Sequence, residues 1–124
     1  MFNTSYRFFE FVGACFRCVL IFSAFLFHVE QTLGTLREVV MPQNGIYHLG
    51  VKALSDAFKH NTDLEVLNLN DNTLTRKGAA ALSEALPLLL KLRVLNLGDS
   101  LLKTKGSILI AEALTKHTQL EVCL

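Results

Sequence analysis

Cys15-Phe16-Arg17-Cys18 is the first place in this 124-residue sequence where side-chain type and spacing together suggest chemistry. A Cys-x-x-Cys pair supplies half of a tetrahedral zinc site or a redox-active dithiol. The zinc reading needs a second pair or a histidine at ligand spacing, and the redox reading needs a strand-to-helix setting. His48, His60 and His117 are scattered, and Cys123 stands far from the pair. Two small apolar fillers is therefore the better reading of Cys15 and Cys18. Three cysteines give no even-numbered disulfide framework and fit a reducing compartment. There is no Walker glycine loop and no G-x-S-x-G turn, and nothing pairs a nucleophile with its base. The expectation is a chain with no active site of its own, no metal and no cofactor.

The remaining polar residues of interest are of a kind that binds partners. Asn44 and Asn72 stand 28 residues apart, with Ser100 at the next equivalent position. Each asparagine is read as a buried amide that satisfies loop carbonyls, and Ser100 as a weaker link because a hydroxyl serves fewer groups. Gln43, Asp71 and Asp99 precede them. Asp71 and Asp99 make an acidic stripe suited to a basic partner surface. Arg76, Lys77, Lys103 and Lys105 form a basic cluster where helices should begin, against the sign that a helix dipole prefers there. Its readings are a solvated face, or a contact for an acidic partner or phosphate. Asp71, Asp99, Arg76 and Lys103 are the partner-binding candidates; Asp63, Glu65 and Glu121 read as ordinary surface charges.

The elements that must position these residues follow from a repeat. Leu36 to Ile46, Leu64 to Leu74 and Leu92 to Leu102 all follow L-x-x-L-x-L-x-x-N-x-L, with Val39, Met41 and Ser100 as substitutes. The second half of each unit agrees too. Gly50, Gly78 and Gly106 share a position, as do Leu54, Leu82 and Ile110, then Ala57, Ala85 and Ala113. Leu67 and Leu69, two apart, point to one face of a short strand. Leu82, Ala85 and Leu86 fall at i, i+3 and i+4 on one face of a helix. Thr75 and Thr104 are placed to cap such helices. No unit buries its apolar face alone, so neighbours must stack. The expected fold is an α/β leucine-rich repeat solenoid with parallel strands on a concave face and helices on a convex one. Its 28-residue repeats would be ribonuclease-inhibitor-like, at 36–63, 64–91 and 92–119, with a truncated fourth from 120.

Composition divides the chain. Eight of the nine phenylalanines lie at or before Phe27, which separates an apolar segment, 1–32, from the repeats of 33–124. Phe11 to Phe27 is interrupted by Arg17 and has a length at the lower limit for a membrane span, roughly 17–25 residues. Arg17 would cost about 2.5–3.5 kcal/mol there. A signal peptide would want a small-x-small cleavage pattern, which Phe27-His28-Val29-Glu30 lacks. An apolar helix packed on the end of the stack, or sequence foreign to the repeats, are the other readings. A formal net charge of +1 with 19% charged residues argues against a nucleic-acid partner. A membrane partner is expected only through residues 11–27.

The strings themselves are more specific than the repeat. Pro42-Gln43-Asn44-Gly45-Ile46, Leu69-Asn70-Asp71-Asn72-Thr73-Leu74 and Gly98-Asp99-Ser100-Leu101 occur in order, with Lys77-Gly78-Ala79-Ala80 and Lys105-Gly106 at helix starts. From Thr35 to about Glu121 the chain resembles the Ran GTPase-activating protein family, with Ser100 where that family often has cysteine. The resemblance implies a fragment of a crescent-shaped activator of GTP hydrolysis by the small GTPase Ran, binding the GTP form in nucleocytoplasmic transport, in the cytoplasm or at the nuclear envelope. It implies a regulatory protein that works without an arginine finger. The family's key arginine and asparagine lie in earlier repeats. Here one step of 28 residues back from Leu36 puts Phe16 at the asparagine position and Phe22 at the glycine position, so this chain is expected not to accelerate hydrolysis. The alternative is a generic leucine-rich repeat binding scaffold, membrane-anchored through residues 11–27.

Overall fold

The spacing of leucines sets the strands. Leu67 is fully buried between the half-exposed Val66 and Asn68, and Leu95 likewise between Val94 and Asn96. Such alternation gives each short strand one face toward a core and one away from it. The structure, a computed structural model, describes residues 4–7 and 36–123. Its strands are β1 (Thr4–Arg7), β2 (Leu36–Val40), β3 (Val66–Asn68), β4 (Val94–Asn96) and β5 (Val122–Cys123). They form one parallel sheet in chain order. Parallel neighbours need a crossover, and three helices supply it: α1 (His48–Phe58), α2 (Thr75–Ala85) and α3 (Lys103–Ala113). A 3₁₀ turn, Leu86–Leu88, follows α2 and contains Pro87, which cannot continue a helix.

One core runs between the sheet and the helices. Leu36, Val39, Leu67 and Leu95 enter it from the strands, Leu64 and Leu92 from the turns just before β3 and β4, and Leu54, Phe58, Leu82 and Ile110 from the helices. Burying a leucine or phenylalanine contributes about 1.5–3 kcal/mol. Small residues set the helix spacing. A Cβ on Gly106 would lie 3.2 Å from Leu102 Cβ and 3.3 Å from Ala79 Cβ, so α3 approaches α2 as closely as backbone allows. Gly78 faces α1 less tightly: a Cβ there would lie 3.6 Å from Val51 Cβ, an ordinary contact, and 3.1 Å from Leu74 Cβ just before its own helix.

The strands are registered by the sequence period. Glu38 lies opposite Val66, Val66 opposite Val94, and Val94 opposite Val122. The period fails at the first strand: Tyr6 lies opposite Val39, where a 28-residue step would place Phe11, and the register shifts between Thr4 and Ser5. Thr4, not the residue one 28-residue step back, sits opposite Leu36.

The expectation of a ribonuclease-inhibitor-like leucine-rich repeat solenoid is also corrected. The described residues make a small unit of three helices on a short parallel sheet, around a single core cluster. A solenoid owes its curvature to a small rotation added over many units, and three helices do not accumulate one. The caps differ too. None of the three helices has a side-chain cap, and Thr75 is the first residue of α2, giving its backbone N–H to the Ser100 carbonyl at 3.1 Å. Thr104 lies inside α3. Most of the apolar segment, including Cys15, Cys18 and the stretch 11–27, lies outside the described residues. Among those described, no helix is long and apolar enough to cross a membrane.

Candidate functional site

β2, β3 and β4 each lead into a turn whose equivalent residue enters the left-handed region: Gln43 at φ 53°, Asp71 at 53° and Asp99 at 51°. This costs a residue with a Cβ about 1–2 kcal/mol, and less for aspartate, whose short polar side chain bonds locally. Backbone bonds fix the turns to one another. Gln43 N–H reaches the Asn70 carbonyl at 3.0 Å, and Asp71 N–H reaches that of Gly98 at 2.8 Å. The three side chains are exposed in a row along one edge, and Gln43 Nε2 donates to Asp71 Oδ2 at 2.6 Å.

Behind this edge, Asn72 binds two turns together. Its buried amide accepts from the N–H groups of Asn44 and Ile46, each at 3.0 Å, and donates to the carbonyls of Met41 and Leu69, each at 2.9 Å. Asn44 is half-buried and donates to the Pro42 carbonyl at 2.8 Å. Ser100 is buried but has only its hydroxyl, directed at the carbonyls of Gly98 (3.1 Å) and Leu69 (3.3 Å). Among the described residues it accepts nothing from the Asn72 or Leu74 N–H groups, the counterparts of those that Asn72 satisfies.

The helix-free face of the sheet is polar beside the acidic turns. Asn68 and Asn96 lie there, each accepting through Oδ1 from the N–H two residues on, at 3.0 Å. Asn70 and Gly98 close the row, so tightly that a Cβ on Gly98 would lie 2.7 Å from Asn70 Oδ1. Arg76, Lys77, Lys103 and Lys105 are exposed at the starts of α2 and α3. The partner-binding candidates thus fall into two groups. Asp71 and Asp99 share the strand-end turns, and Arg76 and Lys103 share the helix starts.

Sequence reasoning missed a further set. Arg37, Glu65, Arg93 and Glu121 occupy one position of the 28-residue period with alternating charge. Arg37 meets Glu65 at 3.1 Å, and Arg93 meets Glu121 through two bonds at 2.9 and 3.2 Å. Asp63 pairs with Lys91 at 2.6 Å and Arg37 at 3.7 Å. The Lys91 hydrogen bond holds the Asp63 carboxyl below the usual range, and the Arg93 hydrogen bond does so for Glu121. On the helix side Lys59 links Asp56 and Glu84, which lowers the Asp56 carboxyl and raises the Lys59 ammonium. The signal for the strand-side column was present in the 28-residue spacing of opposite charges. Asp63, Glu65 and Glu121 are therefore pairing residues. Of the histidines, His117 directs Nε2 to the Leu89 carbonyl at 3.0 Å. A carbonyl only accepts, so Nε2 donates a proton to it, and the buried Nδ1 has no partner among the described residues. Among the described residues, no three of His, Cys, Asp and Glu converge as a metal site would require.

No family model matches the chain. A stretch of 36 residues, 29% of the chain, is 56% identical to the Ran GTPase-activating protein of Drosophila melanogaster and spans 6% of that protein. Among solved structures, the Actin-Binding Site 2 (ABS2) of leiomodin-1 superposes with a TM-score of 0.69, covering 83% of this chain and 60% of that one at 23% identity. That likeness is one of fold. The chain spans less than two thirds of either relative. It carries a short stretch similar to a Ran GTPase-activating protein, on a fold shared with the leiomodin-1 domain.

Proposed function

We propose that this chain is a protein-binding unit related to Ran GTPase-activating proteins, and that it engages Ran in its GTP form without an active site of its own. The observation that carries the reading is the 36-residue stretch at 56% identity. The surface that suits it is the row Gln43, Asp71 and Asp99 beside Asn68, Asn70 and Asn96: exposed or half-exposed polar groups on rigid turns and a sheet. A surface held this way loses little side-chain and loop freedom on binding. Such a unit would act in nucleocytoplasmic transport, in the cytoplasm or at the nuclear envelope. Actin binding is named for the leiomodin-1 domain, whose likeness is of fold, so actin serves as the control partner.

The test is retention of purified Ran on the immobilised full chain, loaded with GTP or GDP, with actin alongside. Ran-GTP is expected to be retained over Ran-GDP and actin. Asp71→Lys should weaken that retention about tenfold or more with an unchanged circular dichroism spectrum, because Asp71 is exposed and, among the described residues, its side chain bonds to the exposed Gln43. Single-turnover hydrolysis by Ran should not accelerate. If Ran-GTP fails to bind, the reading is wrong; acceleration near that of an intact activator would refute the regulatory half of it.

A further inference from the structure

The described cations divide into two populations. Arg37, Lys52, Lys59, Lys91 and Arg93 all lie against carboxylates of the same fold. Arg76, Lys77, Lys103 and Lys105 form no ion pair among the described residues, nor does Lys116 beyond the other end of α3. Those four stand together on one edge. α2 and α3 begin side by side there, close enough that a Cβ on Gly106 would lie 3.5 Å from Arg76 Cα. Neither helix has an acid in its first turn. Positive side chains at the positive end of a helix, beside others of the same sign, are unfavourable in the isolated chain.

Leu101 sits just before α3 on this edge and is unfavourable in two respects. Its side chain is 59% exposed, and its backbone is held at φ 55°. The equivalent positions are Gly45, which takes φ 64° without a Cβ, and Thr73. An exposed leucine in a left-handed conformation costs the isolated unit both apolar exposure and backbone strain.

We propose that this edge is a docking surface for an acidic polypeptide segment carrying an apolar residue among its acids. Arg76, Lys77, Lys103 and Lys105 receive the carboxylates, and Leu101 receives the apolar side chain. Charge complementarity selects the occupant, because four uncompensated cations around an apolar anchor favour carboxylates flanking a hydrophobic residue. Asp71 and Asp99, on the strand side of the same end of the molecule, repel the segment there and fix which way it lies. The proposal is independent of the Ran reading, since it concerns the helix starts and uses no Ran.

The experiment is fluorescence anisotropy of a labelled synthetic peptide, with glutamates on both sides of a single leucine, titrated with the full chain. Binding is expected, weakening about tenfold or more between low and high salt. Serine in place of the peptide leucine should weaken it several-fold. The double variant Arg76→Glu with Lys103→Glu should lower affinity about tenfold or more; Lys77→Ala with Lys105→Ala gives a second measurement should the reversal disturb folding. Leu101→Asn separates binding from structure: asparagine tolerates the left-handed region, so thermal stability should hold or rise while peptide affinity falls. Unchanged affinity in both cation variants would overturn the proposal. So would tighter binding of an RNA oligonucleotide or of phosphatidylserine vesicles, or a Leu101→Asn variant that binds normally.

Discussion

One buried amide, Asn72, makes five hydrogen bonds to backbone groups of two successive turns. Removing it strands N–H and carbonyl groups away from water, at about 1–3 kcal/mol for each buried group left unpaired. Asn72→Ala is therefore expected to lower unfolding stability by about 3 kcal/mol, read as a lower urea midpoint with an unchanged slope. Ser100 marks the same position one unit on and leaves the counterpart N–H groups unserved. Ser100→Asn should raise stability by about 1 kcal/mol. A neutral or destabilising result would mean that the second turn cannot seat an amide. The sequence made this difference legible, because the two side chains differ in how many groups they can serve. The left-handed backbone at Leu101 and Lys103 was not legible, since leucine and lysine carry no signal for a conformation they rarely adopt.

At the scale of elements, helix spacing is the quantity to test. Gly106→Ala gains up to about 1 kcal/mol of helix propensity, yet the new Cβ meets the Cβ atoms of Leu102 and Ala79. Those atoms cannot move without their helices. We expect a net loss of about 1–2 kcal/mol in thermal or urea unfolding; a gain would show that α3 shifts freely. Gly98→Ala is the contrast, because the atoms in its way are the ends of the Asn70 and Asn96 side chains, which are flexible where backbone is not. Strands and helices were readable because one apolar pattern recurs at Leu36, Leu64 and Leu92 and is buried each time. The caps were not, because threonine near a helix start was given a role that backbone bonds between turns perform. β1 was hidden for another reason: Thr4–Arg7 pairs with β2 off the 28-residue period, so nothing in the spacing announces it.

Across the whole molecule, the ion pairs link stability to pH. Asp56, Asp63 and Glu121 are all lowered from ordinary values of 3.8, 3.8 and 4.5 by their Lys59, Lys91 and Arg93 hydrogen bonds. A carboxyl lowered in the folded state contributes stability above its unfolded pKa and loses it as pH falls through the folded value. Stability should hold from neutral pH down to about pH 5 and then decline toward pH 3. Because these groups are exposed, high salt should flatten the decline, and Arg93→Gln should flatten it partly. Urea midpoints across that range at two salt concentrations would decide; an equally steep fall in high salt would assign the loss to other groups. The alternating column has one more consequence. β3 and β4 are the same tripeptide, Val-Leu-Asn, so hydrophobic burial does not tell which of them belongs beside β2. The residue in front of each does: Glu65 gives Arg37 an attractive neighbour, whereas Arg93 in that place would set arginine against arginine. The charge column thereby favours the observed strand order over one with β3 and β4 exchanged.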